Sequence, residues 1–130
     1  MKSKSLPQLK ADLQKAFNEF IRLRDKGKPC ISCGQFKELQ AGHFYPVGGY
    51  DGLRFDEDNV HGECAGCNCF SGSHLILYGL NLTERIGSEA LFNLHIKAQD
   101  YKRNGKKWMR FELEQMIKDY KDKIHNLKQF

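Results

Sequence analysis

The chain has 130 residues, of which 28% are charged and 40% hydrophobic, and it carries a formal net charge of +5. This balance argues against a largely disordered polypeptide, and no apolar run approaches the ~20 residues that a membrane-spanning helix needs. Residues 1–5 have the basic start of a signal peptide, but no apolar segment follows them. We therefore expect one domain, located in the cytoplasm and with no membrane partner.

The first predicted element is a helix over residues 7–26, within a basic segment that spans residues 1–28. Pro7 suits the first turn of a helix, and Gly27 and Pro29 end it. The apolar residues recur at helical spacing and form one face, which comprises Leu9, Leu13, Ala16, Phe17, Phe20, Ile21 and Leu23.

Four of the five cysteines form two pairs with the spacing of metal ligands. Cys30 and Cys33 make one Cys-x-x-Cys, and Cys64 and Cys67 make a second. Four thiolates suit tetrahedral zinc, so we predict a structural Zn²⁺ that joins the pairs. The alternatives are buried free cysteines and a thioredoxin-like redox pair, whose βαβ context is missing. Cys69 is expected to be buried or on a helix, and not a fifth ligand.

Short elements are predicted between and after the two cysteine pairs. One or two short strands are expected within residues 36–45 and another within residues 53–55, with a turn at residues 45–49. A helix is expected over residues 68–78, directly after Cys67.

The C-terminal part reads as two helices. The first is predicted over residues 88–101, and a basic turn at residues 102–107 leads to the second. We interpret an apolar stripe on the second helix as core, or as a helix–helix seam made with the N-terminal helix or between two subunits. The stripe has 3-4 spacing and comprises Met109, Leu113, Met116, Ile117, Tyr120, Ile124 and Leu127.

Charge is segregated along the chain. Residues 1–29 carry a net charge of +5, residues 30–82 carry −4, and residues 83–130 carry +4. Basic arms suit a polyanion, whereas an acidic centre repels phosphate unless it binds cations. The combination favours a metal-dependent enzyme acting on nucleic acid; the alternative is that the arms are solvated helix faces. The candidate DNA-binding residues are Arg54, Lys102, Arg103, Lys106 and Lys107.

The order of motifs in the centre resembles that of the HNH nucleases. His43 lies in Ala-Gly-His-Phe, Asn59 follows sixteen residues later, and Asn68 comes directly after the second cysteine pair. In full, the block reads C-x-x-C, A-G-H-F, R-F-x-x-x-N and C-x-x-C-N, with basic helices on both sides. This block is similar to the phage lambda NinG/Rap recombination endonuclease family.

The resemblance implies an α+β fold with a zinc-stapled treble-clef (ββα-metal, HNH-like) core. The core would span residues 29–80, with the N-terminal helix at residues 1–28 and a C-terminal helical region at residues 81–130. The implied function is a phage- or prophage-encoded, structure-specific DNA endonuclease that cleaves D-loops and Holliday junctions. The resemblance also implies Mg²⁺ or Mn²⁺ as the catalytic metal, branched DNA as the partner, and a homodimer.

Three residues match the catalytic places of the family. His43 would be the general base at a strand end, and its imidazole, with an ordinary pKa near ~6.5, suits that role. Asn59 would orient His43 by bonding to a ring nitrogen or to the loop backbone. Asn68 would bind the catalytic metal at the start of the following helix, together with His43 and with Asp51 or Asp56 as a further ligand.

The sequence departs from the family pattern at Gly42. Many junction-resolving relatives carry an Asp directly before the catalytic His, so the missing carboxylate must come from elsewhere. The candidates are Asp51, Asp56, Asp58 and Glu63, and the candidates for a nitrogen ligand are His61 and His74. Residues 56–58 can equally form a solvated turn. The competing function is a non-catalytic zinc-finger-like DNA-binding module in recombination, which would not need the three matching residues.

Overall fold

A computed structural model describes residues 3–70 and 74–129 of the chain. Four helices and a two-stranded sheet make a mixed α/β fold. The elements are α1 (Leu6–Arg24), β1 (Leu39–His43), β2 (Val60–Cys64), α2 (His74–Ile86), α3 (Ser88–Asn104) and α4 (Arg110–Leu127). Within the described ranges, every helix is too short or too polar to cross a membrane.

Helix α1 begins at Leu6, one residue before the predicted start, and Ser5 caps it. The Gln8 backbone N–H donates to Ser5 Oγ at 3.3 Å, and the Ser5 N–H donates to Gln8 Oε1 at 2.9 Å, which completes a capping box. The helix ends at Arg24, two residues before the predicted end, because Asp25 leaves the helix and turns its carboxylate inward.

The main core lies between α1 and α4. Phe17 of α1 meets Tyr120 of α4 edge to face, with ring centroids 5.0 Å apart. Leu113 and Ile124 of α4 are also buried in this core, together with Val60 of the sheet. The apolar stripe of α4 is therefore a seam with the N-terminal helix of the same chain, and its buried residues are not available to a second subunit.

The two strands are antiparallel, with Gly42 opposite His61 and His43 opposite Val60. Alternate residues of a strand point to opposite faces. One face packs on α1 through Val60, and the other faces α2, where Tyr78 Oη donates to the Gly42 carbonyl at 2.7 Å. The sheet is thus sandwiched between α1 and α2.

One predicted element is wrong. Residues 53–55 are not a strand: a 3₁₀ turn covers Asp51–Leu53, and it lets Leu53 and Phe55 enter different cores. The helix predicted over residues 68–78 is helical in its described residues, with a π-helical turn at Gly66–Phe70 and α2 from His74. The part of that predicted helix at residues 71–73 lies outside the described residues.

The C-terminal helices are confirmed, with one shifted boundary. Helix α3 extends to Asn104, so Lys102 and Arg103 belong to its last turn and the predicted basic turn is shorter. Gly105 ends the helix with a φ of 71°, a left-handed conformation that glycine adopts without strain.

Candidate metal centre

Four thiols meet at one point of the structure. The Sγ atoms of Cys30, Cys33, Cys64 and Cys67 all lie within 4.8 Å of one another. A compact set of four sulfurs is the donor set that structural zinc prefers, so the four cysteines are positioned to hold a zinc-type ion. Cys69 is not in this group: it is exposed on the π-helical turn, so of the two expected placements, buried or on a helix, the structure has the second.

The two pairs reach this point from different parts of the chain. Cys30 and Cys33 lie on a turn between α1 and β1, closed by a 2.9 Å bond from the Gly34 N–H to the Cys30 carbonyl. Gly34 has a φ of 75°, which a glycine tolerates. Cys64 is the last residue of β2. An ion held here ties the loop after α1 to the sheet.

His43 lies at the end of β1, as the family resemblance implies. Its Nε2–H donates to the Arg54 carbonyl at 3.0 Å, since a carbonyl can only accept. This bond fixes the tautomer and leaves Nδ1 with a free lone pair. Burial lowers the pKa of His43 below its ordinary value of 6.5, so the imidazole is neutral at pH 7 and able to accept a proton.

Asn59 is fully buried and holds the loop between the strands. Its Oδ1 accepts from the Tyr45 N–H at 2.8 Å, and its Nδ2 donates to the carbonyls of Tyr45 and Leu53, each at 3.1 Å. All three bonds go to backbone atoms. Asn59 therefore bonds to the loop backbone, and not to a ring nitrogen of His43. Because Leu53 precedes Arg54, these bonds also support the carbonyl that orients His43.

Asn68 directly follows the second cysteine pair and is half-buried on the π-helical turn. Its Nδ2 donates to Gln40 Oε1 at 2.9 Å. In the described residues α2 begins at His74, so the structure places Asn68 on the π-helical turn, between the second cysteine pair and α2.

A polar cluster lies between the sheet and α2, centred on Glu63. The Glu63 side chain is fully buried, and its Oε2 accepts from Ser32 Oγ and, at 2.8 Å, from His74 Nδ1. Within residues 3–70 and 74–129, Oε1 has no hydrogen-bond partner. A buried carboxylate oxygen without a partner is costly, so this oxygen is a candidate ligand for a cation.

Gly42 makes room for that carboxylate. A Cβ added to Gly42 would collide with Oε1 of Glu63 and lie 2.8 Å from the Glu63 Cβ. The Glu63 carboxylate thus fills the space beside β1 that a side chain at position 42 would take. Glu63 and His74 were among several candidates in the sequence, but the sequence did not predict that they are in contact. Nothing in the sequence pointed to Ser32.

Two of the other candidate carboxylates, those of Asp51 and Asp56, have partners within the protein. Asp51 accepts from Lys10 Nζ and from the Arg54 guanidinium, each at 2.9 Å. Asp56 accepts from Lys97 Nζ at 3.0 Å and from the Asp58 N–H at 2.9 Å. These contacts join helices and loops, so both carboxylates already serve the fold.

The candidate DNA-binding cations divide in the same way. Arg54 is held against Asp51, Lys102 donates to the Gly49 carbonyl at 2.8 Å, and Lys106 pairs with Glu112 at 2.7 Å. Arg103 and Lys107 are exposed. Among the described residues these two side chains form no ion pair, so of the five candidates they are the most accessible to a DNA phosphate.

His61 belongs to a buried charged cluster. From the sequence alone, this residue is only a candidate metal ligand. Its Nδ1 accepts from the Arg24 guanidinium at 3.2 Å, and its Nε2–H donates to the Asp58 carbonyl at 2.9 Å. Arg24 also pairs with the buried Asp25, which accepts from the Gly62 N–H at 2.8 Å. Burial, with the positive charge of Arg24, lowers the pKa of His61 to about 4.

This shift predicts a loss of stability in mild acid. Between pH 6.5 and 4 the unfolded chain binds a proton at His61 that the folded chain refuses, so the free energy of unfolding falls as the pH falls. From pH 7 to pH 5 we expect a loss of about 2 kcal/mol from this group. Urea unfolding of wild type and His61→Gln at both pH values isolates the contribution of His61. The effect of acid on the thiols is the same in both proteins and cancels in the comparison. Equal losses in the two proteins would contradict the prediction.

Comparison with known proteins assigns the chain to a family. Residues 1–129 match the family model described as Bacteriophage Lambda NinG protein. Protein ninG of Salmonella phage P22 is 38% identical over 117 residues, which cover 88% of this chain and 55% of that protein. Protein ninG of Escherichia phage lambda is 35% identical over 117 residues, with the same two coverages. Protein ninG of Enterobacteria phage H19B is 44% identical over 80 residues, which cover 60% of this chain and 40% of that protein.

The chain spans about half the length of the curated relatives that it matches over 117 residues. No solved structure matches it significantly. The family model covers nearly the whole chain, and it includes both cysteine pairs, His43 and Glu63. The chain therefore belongs to the NinG family of bacteriophage proteins.

Proposed function

We propose that the chain is a metal-dependent endonuclease of the HNH type, with a treble-clef core, that hydrolyses phosphodiester bonds in branched DNA such as D-loops and Holliday junctions. The observation that carries the proposal is the buried Glu63 carboxylate, whose free oxygen lies against Gly42. The next residue along β1 is His43, a neutral imidazole with a free Nδ1. A potential cation ligand therefore lies beside Gly42, and the potential base is the next residue, at the end of β1.

In this proposal His43 is the general base. A water molecule attacks the phosphorus, its proton passes to Nδ1, and the bond from phosphorus to the leaving 3′ oxygen breaks, after which that oxygen takes a proton from solvent. The Arg54 carbonyl holds the ring in the required tautomer. Asn59 acts through the loop backbone and is a positioning residue.

The residues of the polar cluster fit a hard divalent cation. Glu63 offers a carboxylate oxygen that lacks a partner among the described residues. His74 donates from Nδ1 to Glu63 Oε2 and so orients the carboxylate, with Oε1 left as a ligand. We propose that Glu63, positioned by His74, provides a carboxylate oxygen to Mg²⁺ or Mn²⁺, in place of the Asn68, His43 and Asp51 or Asp56 set expected from the sequence. When bound, the ion would supply positive charge for the phosphate and the leaving oxygen.

The test is cleavage of a labelled four-way junction and a labelled D-loop by the zinc-loaded chain. With Mg²⁺ or Mn²⁺ we expect nicks in the branched substrates and none in a linear duplex of the same sequence. Without added divalent metal we expect binding but no nicks. Binding of the branched substrates with no cleavage under any divalent metal would reject the nuclease and favour a DNA-binding module.

A further inference from the structure

We propose that a groove beside the zinc knuckle binds an unpaired, single-stranded segment of DNA. The groove lies between the last turn of α1 and the loop that leads into β1, and its volume is about 730 Å³. We call it the Phe36 groove and define it by Arg22, Lys26, Lys28, Phe36 and Lys37. The inference rests on the proposed function, since it assumes that the chain acts on DNA.

The aromatic ring in this groove is exposed although its backbone is held in place. Phe36 is 76% exposed. The carbonyl of the preceding residue, Gln35, accepts a 2.9 Å hydrogen bond from the Cys30 N–H, which holds the loop against the turn that carries Cys30 and Cys33. An exposed aromatic ring does not contribute the hydrophobic free energy that burial would give it. A nucleobase stacked on such a ring contributes about 1–3 kcal/mol.

The charges around Phe36 are those that a phosphate backbone requires. Within the part of the chain that the structure describes, Arg22, Lys26 and Lys37 form no ion pair, and Lys28 lies 3.6 Å from Asp25. The groove contains two acidic residues, and one of them, Glu19, is paired with Lys128 at 3.2 Å. Among the described residues, three unpaired cations therefore face a strand, with only one uncompensated carboxylate, that of Glu38.

The combination favours a single strand over a duplex. Bases inside a duplex are stacked on each other and offer no free face to Phe36, whereas unpaired bases at a branch can turn onto it. The groove includes Leu39, the first residue of β1, and His43 is the last residue of that strand. The strand places the groove roughly 13 Å from His43, so an unpaired arm held there keeps the branch beside the proposed base.

The test compares Phe36→Ala with Phe111→Ala, because Phe111 is also exposed, at 80%, but lies on α4 outside the groove. Binding of a fluorescent oligothymidine and of a duplex of equal length is measured by anisotropy without divalent metal. We expect Phe36→Ala to weaken single-strand binding about 5- to 150-fold and to leave duplex binding unchanged. Phe111→Ala should bind both as wild type does. Equal single-strand affinities of the two variants would overturn the proposal.

Two further measurements complete the test. Phe36→Trp should keep single-strand affinity, and its fluorescence should be quenched by the oligothymidine; unquenched fluorescence at saturation would also overturn the proposal. Lys26→Gln with Lys37→Gln should flatten the salt dependence of binding.

The groove proposal and the nuclease proposal can be refuted separately. A chain that binds through Phe36 but never cuts refutes the nuclease alone, and a Phe36→Ala protein with unaltered single-strand binding refutes the groove alone.

Discussion

Cys64→Ser is expected to lose bound zinc and to unfold at room temperature. A structural zinc ion contributes about 10–16 kcal/mol of apparent folding free energy at neutral pH, and a typical domain has a net stability of only about 5–15 kcal/mol. The remaining three thiols would hold an ion poorly, and the loop after α1 would separate from the sheet. Circular dichroism and a colorimetric zinc assay on the same sample measure both losses.

Cys69→Ser is the matched control for this prediction. Cys69 is exposed and lies outside the group of four thiols, so we expect its variant to keep one zinc per chain and the wild-type melting temperature. A folded Cys64→Ser protein without zinc would show that the metal is dispensable. A Cys69→Ser protein without zinc would show that the ligand set is wrong.

Glu63→Gln is expected to separate metal binding from stability. The glutamine carbonyl can still accept from Ser32 and His74, and the substitution removes a buried negative charge with an unpartnered oxygen. We expect the free energy of unfolding without divalent metal to stay within about 1 kcal/mol of wild type. Mn²⁺ affinity should fall by at least about 10- to 100-fold, the range found when a merely supporting partner is lost.

Calorimetry with Mn²⁺ on the zinc-loaded proteins measures the affinity, and urea unfolding measures the stability. Glu84→Gln serves as the control, because Glu84 is exposed on α2 and away from the cluster. Unchanged Mn²⁺ affinity in Glu63→Gln would remove Glu63 from the metal site. A large loss of stability would show instead that the carboxylate serves the fold.

The elements with strong local signals were predictable from the sequence. Pro7 at the first turn, the apolar face of α1 and the paired cysteines each depend on spacing within a few residues, and the structure confirms α1 and the grouping of the four thiols. The strand predicted at residues 53–55 failed because its apolar residues enter two different cores, which only the tertiary structure decides.

The arrangement of the candidate site was less predictable. Asn68 matched the family pattern by its place after the cysteine pair, and spacing alone did not predict that it lies on a π-helical turn. The choice of Glu63 depends on the strand register, which brings the residue opposite Gln40 and its carboxylate against Gly42. No pattern within the sequence fixes a register between strands seventeen residues apart.

The most direct test of the nuclease proposal is the single-turnover cleavage rate of wild type and His43→Ala on one four-way junction with saturating Mg²⁺. His125→Ala controls for the loss of an exposed imidazole on α4. We predict that His43→Ala binds the junction with wild-type affinity but cuts it about 10²- to 10⁴-fold more slowly, while His125→Ala cuts normally. Equal cleavage rates of wild type and His43→Ala would contradict the account.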